Sequence, residues 1–82
     1  MKIYVFTCHA ALNHAYMGTN TKVFRTKRAV LDAFKEWREE EMRFIEWWNW
    51  TILIDEERHM EAYTGDDYCA NHTEGFIEEF EI

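Results

Sequence analysis

Residues 26–46 read TKRAVLDAFKEWREEEMRFIE and contain the longest helical pattern of the chain. Apolar side chains recur along one side of this segment at helical spacing, and only Glu41 interrupts them. They are Val30, Ala33, Phe34, Trp37, Phe44 and Ile45. Thr26 is a favourable N-cap, because its hydroxyl can accept a hydrogen bond from an otherwise unpaired amide of the first turn. The pattern predicts one long amphipathic helix from Thr26 to Glu46.

The segments around this helix are short and rich in β-branched and aromatic residues, which is typical of strands. We predict strands at 2–7, 21–25, 47–54, 58–63 and 75–82, turns at 18–20 and 55–57, and a polar loop at 64–73. Residues 9–17 fit a short helix or the return arm of a hairpin, and we favour extended or irregular structure. This order predicts an α+β fold, an antiparallel sheet of four to five strands with one main helix on one face. With 82 residues, we expect one compact domain over 1–82.

Charge is distributed very unevenly along the chain. Residues 1–35 contain six basic side chains and one acid, a balance of +5, whereas residues 36–82 contain fifteen acids and three arginines, a balance of −12. Together they give the formal net charge of −7. Such a balance bears on partners and solubility rather than on fold. It predicts an acidic surface that contacts a positively charged partner.

The predicted helix is charged against its own dipole. Lys27 and Arg28 occupy the first turn, where acids are favourable, and glutamates crowd the C-terminal half. The last strand adds Glu79 and Glu81 on one side, a row that resembles the regular charges of a phosphate backbone or else protects a sheet edge. We therefore predict a partner-binding surface. Its candidate residues are Glu36, Glu39, Glu40, Glu41, Glu46, Trp47, Asp55, Glu56, Glu57, Asp66, Asp67, Glu79 and Glu81.

Trp47 is included because of the expected strand 47–54, in which alternate side chains point to opposite faces. Trp48, Trp50, Ile52 and Ile54 would share one face of that strand. If that face is the core, Trp47 is exposed beside polar neighbours and suits a protein interface, where tryptophan is enriched.

The sequence lacks a motif that would indicate catalysis or a cofactor. His59-Met60-Glu61 followed by Cys69-x-x-His72 only partly matches the zinc deaminase signature, because the proline and the second cysteine of that signature are missing. A structural zinc site from Cys69 and His72, with Cys8-His9 or His14 supplying the other ligands, is weighed against buried cysteines and surface histidines, which explain the pattern without a metal. We predict no enzyme activity, no cofactor and no metal.

These observations favour a small acidic inhibitor that blocks a basic, nucleic-acid-binding surface of another protein and does not itself bind nucleic acid. In general profile, such motif-free acidic domains resemble counter-defence proteins of phages and mobile elements, including anti-CRISPR proteins. The alternative is an interaction module that forms homo-oligomers, for example a homodimer, and whose acidic residues only keep it soluble. Only four consecutive apolar residues follow Lys2, which is short of a signal peptide, so we expect the cytoplasm of a bacterial host and no membrane partner.

Overall fold

The computed structural model describes residues 1–12, 15–64 and 71–82. Within these residues, five strands and one helix follow one another. They are β1 (Lys2–Leu12), β2 (Ala15–Phe24), α1 (Lys27–Trp47), β3 (Thr51–Glu56), β4 (His59–Thr64) and β5 (Asn71–Glu81). The strands form one antiparallel sheet in the order β2-β1-β5-β4-β3. The predicted α+β architecture is therefore confirmed.

Helix α1 begins where the sequence predicts. The Thr26 hydroxyl accepts a hydrogen bond from the amide of Ala29 at 3.2 Å, which satisfies one unpaired donor of the first turn. The helix ends one residue later than predicted, at Trp47, and Asn49 has a φ of 54°. Asparagine tolerates this left-handed conformation better than most residues. The amide of Trp50 then donates to the carbonyl of Ile45 at 2.9 Å, which closes the turn into β3.

The core lies between α1 and one face of the sheet. Val30, Phe34 and Ile45 are the buried residues of the helix. They meet the buried side chains Tyr4, Phe6, Met60, Ala62 and Ile77 from β1, β4 and β5. The rings of Phe6 and Phe34 pack edge to face with centroids 5.7 Å apart. Aromatic burial of this kind is a main source of stability in so small a chain.

Trp37 packs directly onto the backbone of β5. Its ring lies 5.6 Å from that of Phe6 and 5.7 Å from that of Phe34, between centroids. A Cβ built on Gly75 would stand 2.5 Å from two atoms of the Trp37 ring. Glycine is therefore required at this position by the close approach of the indole.

The predicted turn at Gly18-Thr19-Asn20 is wrong. These residues lie inside β2, which extends from Ala15 to Phe24, so the extended alternative for residues 9–17 is the correct one for those described. The register passes from His9↔Thr19 to Ala11↔Tyr16, so β2 contains one extra residue there. Gly18 has a φ of 103° at this bulge. Its conformational freedom marks an irregularity within a strand rather than a chain reversal.

The predicted strand 47–54 and polar loop 64–73 also need correction. Trp47 belongs to the helix, and β3 begins only at Thr51. Leu53 is unpaired between Ile52↔Ala62 and Ile54↔Glu61, so a bulge places Ile52 and Ile54 on opposite faces instead of one. Thr64 and residues 71–73 belong to β4 and β5. The remainder of the predicted loop, residues 65–70, lies outside the described residues.

The register defines a second face of the sheet, which α1 does not cover and which we call the open face. Side chains that share it across the strands include those of Val5, Val23, His9, His59, Glu61, His72, Glu74, Glu78 and Phe80. Neighbouring positions on each strand point towards α1, among them Phe6, Cys8, Met60 and Gly75. The molecule therefore presents two distinct surfaces, the outer side of a helix and the open face of a sheet.

Candidate functional site

The glutamates of the C-terminal half of α1 do not share one environment. Glu36, Glu39, Glu40 and Glu46 are exposed. Among the described residues, none of these four lies within 4.0 Å of a basic group. Helical spacing puts them on the side of α1 that faces away from the sheet, together with Arg43 and Trp47. We call Glu36, Glu39, Glu40, Glu46 and Trp47 the acidic helix face.

Glu41 differs from these four, because it points towards the sheet. It is only partly exposed and lines a cavity with Cys8, Trp37 and Asn20. Burial raises the pKa of the Glu41 carboxyl, and the nearby charge of Glu40 raises it further. Glu41 is thus the one charged residue that interrupts the apolar side of the helix, as the sequence predicts. It contributes less to the outer surface of α1 than the four exposed glutamates do.

Asp55 is neutralised by an ion pair across the groove between α1 and β3. Arg38 donates two hydrogen bonds to its carboxylate, at 2.7 Å from Nε to Oδ1 and 2.6 Å from Nη2 to Oδ2. The hydrogen bond from Arg38 lowers the pKa of Asp55. The fork-to-fork geometry gives a specific contact. Asp55 therefore connects the helix to the sheet.

The acids at the end of β5 also have cationic partners. One carboxylate oxygen of Glu79 lies 3.5 Å from Lys2 Nζ, and the other lies 3.7 Å from Arg58 Nη1. Glu81 lies 3.4 Å from the amino group of Met1. Glu56, the last residue of β3, and Glu57, in the turn to β4, are exposed. The predicted turn at 55–57 is therefore wrong for Asp55 and Glu56, which belong to β3. Asp66 and Asp67 lie outside the described residues.

Trp47 is the most exposed tryptophan, with 79% of its surface accessible. The sequence predicts its exposure correctly but for the wrong reason, because it is the last helical residue and not part of a strand. Trp48 is 59% exposed, and Trp50 packs edge to face on Phe44 at 5.6 Å between centroids. The tryptophans therefore divide into two exposed side chains, Trp47 and Trp48, and two partly buried ones packed against the core, Trp37 and Trp50.

Three histidines and two glutamates form a cluster on the open face, which the sequence analysis does not predict. His9 on β1, Glu74 on β5 and Glu61 on β4 lie directly opposite one another across three adjacent strands. His9 Nε2 is 3.0 Å from Glu74 Oε1, and His59 Nε2 is 2.6 Å from Glu74 Oε2. His72 Nε2 is 2.6 Å from Glu61 Oε2. We call these five residues the His–Glu cluster.

A sequence signal for the His–Glu cluster exists. His59-Met60-Glu61 and His72-Thr73-Glu74 are two H-x-E triplets, each within a strand. A spacing of two residues places both side chains of a triplet on one face of its strand. The sequence alone does not give the register that puts the two triplets side by side. In the sequence these residues partly match a deaminase motif, and spacing suggests Cys69 as a ligand together with His72. Both Cys69 and His14 lie outside the described residues.

Part of the His–Glu cluster has ligand atoms close enough to share a metal ion. One ligand atom each from Glu61, His72 and Glu74 lies within 4.8 Å of the other two. Cys8 is directed away from this group, towards α1, and His9 points to the open face, as expected for neighbours in a strand. Burial raises the pKa of the Cys8 thiol, and Glu41 adds to this, which disfavours a thiolate.

Comparison with protein-family models, curated proteins and solved structures finds no match to this chain. No helix among the described residues is long and apolar enough to cross a membrane. Functional inference therefore rests on the two surfaces themselves.

Proposed function

We propose that this chain is a protein-binding inhibitor whose acidic helix face occupies a basic, nucleic-acid-binding surface of a partner. In this proposal it acts in the cytoplasm of a bacterial host as a counter-defence protein of the anti-CRISPR type. The partner is a nucleic-acid-handling complex. The chain itself contacts neither nucleic acid nor a membrane.

The observation that supports this proposal most is a row of exposed acids on α1 that form no ion pair among the described residues. Four exposed glutamates without an ion pair among the described residues lie between Glu36 and Glu46. At 1.5 Å per residue they span about 15 Å of helix axis, so neighbouring carboxylates are about 5 Å apart on average. One strand of duplex DNA presents a phosphate about every 3.4 Å. The row is sparser than a phosphate strand, and Arg43 on the same side reduces its net charge, so the resemblance lies in a line of like charges and not in an equal charge density.

Trp47 gives this surface an apolar anchor. It follows Glu46 at the end of α1 and is almost fully exposed. Interfaces concentrate their binding energy in a few residues, and tryptophan is prominent among them. A charged row beside one large aromatic side chain suits a basic groove with an apolar pocket at one end. By contrast, Asp55, Glu79 and Glu81 already have cationic partners within the chain.

Charge reversal on α1 tests the proposal. The variant replaces Glu36, Glu39 and Glu40 with lysine, and the matched control replaces Glu56, Glu57 and Glu78. All six glutamates are exposed, and each triple change moves the net charge from −7 to −1. The probes are purified bacterial RNA-guided nuclease complexes. The readout is competition with duplex DNA over a series of salt concentrations.

We expect the wild-type chain and the control to displace DNA from at least one complex at low salt. We expect the helix variant to lose this ability, because its charge pattern is reversed while its net charge equals that of the control. Displacement by wild type that weakens equally in both variants would show that only total charge matters. If the wild-type chain binds none of the complexes at low salt, the proposal is refuted.

A second candidate function is self-association through the open face. Val23 is 62% exposed and Phe80 is 44% exposed on this face. Exposed apolar surface on a sheet is a frequent site of association. We expect Phe80→Ser to shift a dimer towards monomer in light scattering measured over a concentration series. A strictly monomeric wild-type chain at high concentration would exclude this function.

A further inference from the structure

The His–Glu cluster places two like charges directly opposite each other. Glu61 and Glu74 are paired residues of β4 and β5, and both side chains are largely shielded, with exposures of 14% and 20%. Like charges at directly opposed positions destabilise a sheet. The ion-pair partners of Glu74 among the described residues are imidazoles, from His9 and His59. Two shielded carboxylates with imidazole nitrogens beside them are an arrangement that a bound metal cation would stabilise.

The donor atoms of the cluster fit a transition-metal ion in chemistry and in distance. Imidazole nitrogen and carboxylate oxygen bind zinc at about 2.0–2.2 Å, which separates neighbouring ligands of a tetrahedron by about 3.4 Å. One ligand atom each from Glu61, His72 and Glu74 lies within 4.8 Å of the other two, and His72 Nε2 is 2.6 Å from Glu61 Oε2. Small side-chain shifts therefore suffice to place an ion among them.

His9 lies outside the group of three residues whose ligand atoms are all within 4.8 Å of one another, and it is the candidate for a fourth ligand. Its Nε2 is 3.0 Å from Glu74, and its ring centroid is 5.6 Å from that of His72, so it contacts two of the three ligand residues. His59 contacts Glu74 at 2.6 Å and packs on Phe76, which suits a residue that orients the carboxylate. All five residues belong to three adjacent strands, so regular backbone fixes the separation of the ligands.

We propose that Glu61, His72, Glu74 and His9 bind one divalent transition-metal ion, of which Zn²⁺ is the representative, and that His59 orients Glu74. Nitrogen ligands distinguish this site from one for Ca²⁺ or Mg²⁺, which prefer oxygen alone. The site lies on the open face, opposite α1, and does not depend on the proposed function of the acidic helix face. It also differs from a Cys8 site, because Cys8 lies on the other side of the sheet.

Zinc titration of the untagged, chelator-treated chain tests the site, with calorimetry for affinity and native mass spectrometry for stoichiometry. The variants are Glu74→Gln and His72→Ala. The matched control is Glu78→Gln, which removes a carboxylate from an exposed position of the same strand and face. We expect one ion per chain in wild type and control, and binding weaker by about 100-fold or more in both variants. Cys8→Ser should bind as wild type does.

Two further measurements keep the test decisive if a variant does not fold. His9→Gln removes the fourth ligand and retains Glu74, so we expect weaker binding in a folded chain, as checked by circular dichroism. Co²⁺ added to wild type should give visible absorption without the strong near-ultraviolet band of thiolate ligands. Absence of zinc binding by wild type, equal binding by Glu74→Gln, or a thiolate band would each overturn the proposal.

Discussion

The close contact between Gly75 and Trp37 leads to the sharpest stability prediction. In Gly75→Ala, the new Cβ would stand 2.5 Å from Cη2 and Cζ3 of the indole, whereas ordinary contacts begin at 3.4 Å. The ring must therefore move by about 1 Å. Phe6 and Phe34 contact it from other directions, so such a shift disturbs the aromatic core.

The expected magnitude follows from two opposing effects. Overpacking of a well-packed core destabilises by about 1–3 kcal/mol. Replacement of glycine by alanine also restricts the unfolded chain, which stabilises by about 0.4–1 kcal/mol. We expect a net loss of about 1–2 kcal/mol in the free energy of unfolding, which lowers Tm by about 4 °C or more.

Urea denaturation followed by far-ultraviolet circular dichroism measures this loss, and a double-mutant cycle identifies its cause. Trp37→Phe removes the outer ring atoms that meet the new Cβ. In that background Gly75→Ala should be nearly neutral, which gives a coupling energy of about 1 kcal/mol or more. An equal loss in both backgrounds would refute the role of the indole, and no loss in wild type would refute the contact itself.

Three other predictions concern single side chains. Thr73 is 1% exposed and its hydroxyl has no hydrogen-bond partner among the described residues. Thr73→Val should therefore raise the free energy of unfolding by about 1 kcal/mol, seen as a higher urea midpoint. A lower midpoint would show that the hydroxyl is hydrogen-bonded in the folded chain. The raised pKa of Glu41 means that its ionised form opposes folding. In urea denaturation, Glu41→Gln should therefore have a higher free energy of unfolding than wild type at pH 7 and the same one below about pH 4. The exposed control Glu39→Gln should show no such dependence on pH, and an equal trend in both variants would contradict the prediction. Thr26→Ala should lower the free energy of unfolding by about 1 kcal/mol, measured by thermal unfolding, because the N-cap hydrogen bond to the Ala29 amide is lost. An unchanged Tm would mean that this N-cap does not stabilise the chain.

Local signals in the sequence were sufficient for the helix and for the fold class. Thr26 and the apolar periodicity located α1 almost to the residue, because capping and helical spacing act within a few positions. The errors arose where a local signal has two meanings. Gly18 is typical of a turn but also of a bulge, and the apolar run that begins at Trp47 fits a strand although Trp47 completes the helix and β3 begins only at Thr51.

The candidate surfaces were less predictable because they depend on contacts between distant segments. Asp55 is acidic in the sequence, but only the packing of α1 on β3 brings Arg38 to its carboxylate. Glu41 was grouped with its neighbours although helix rotation turns it towards the sheet. His9 and Glu74 meet only through the pairing of β1 with β5, which no local pattern indicates.

The position of β5 in the sheet has a consequence for how the molecule folds. Of the described strands β5 is the last in the chain, yet it lies at the centre, between β1 and β4. Until it arrives, β1 with β2 and β3 with β4 are two separate hairpins that share no backbone pairing. Contacts between residues as far apart as Lys2 and Glu81 must then form together, and such long-range closure slows folding. During synthesis, the edges of β1 and β4 that β5 later covers therefore stay exposed until β5 inserts between them.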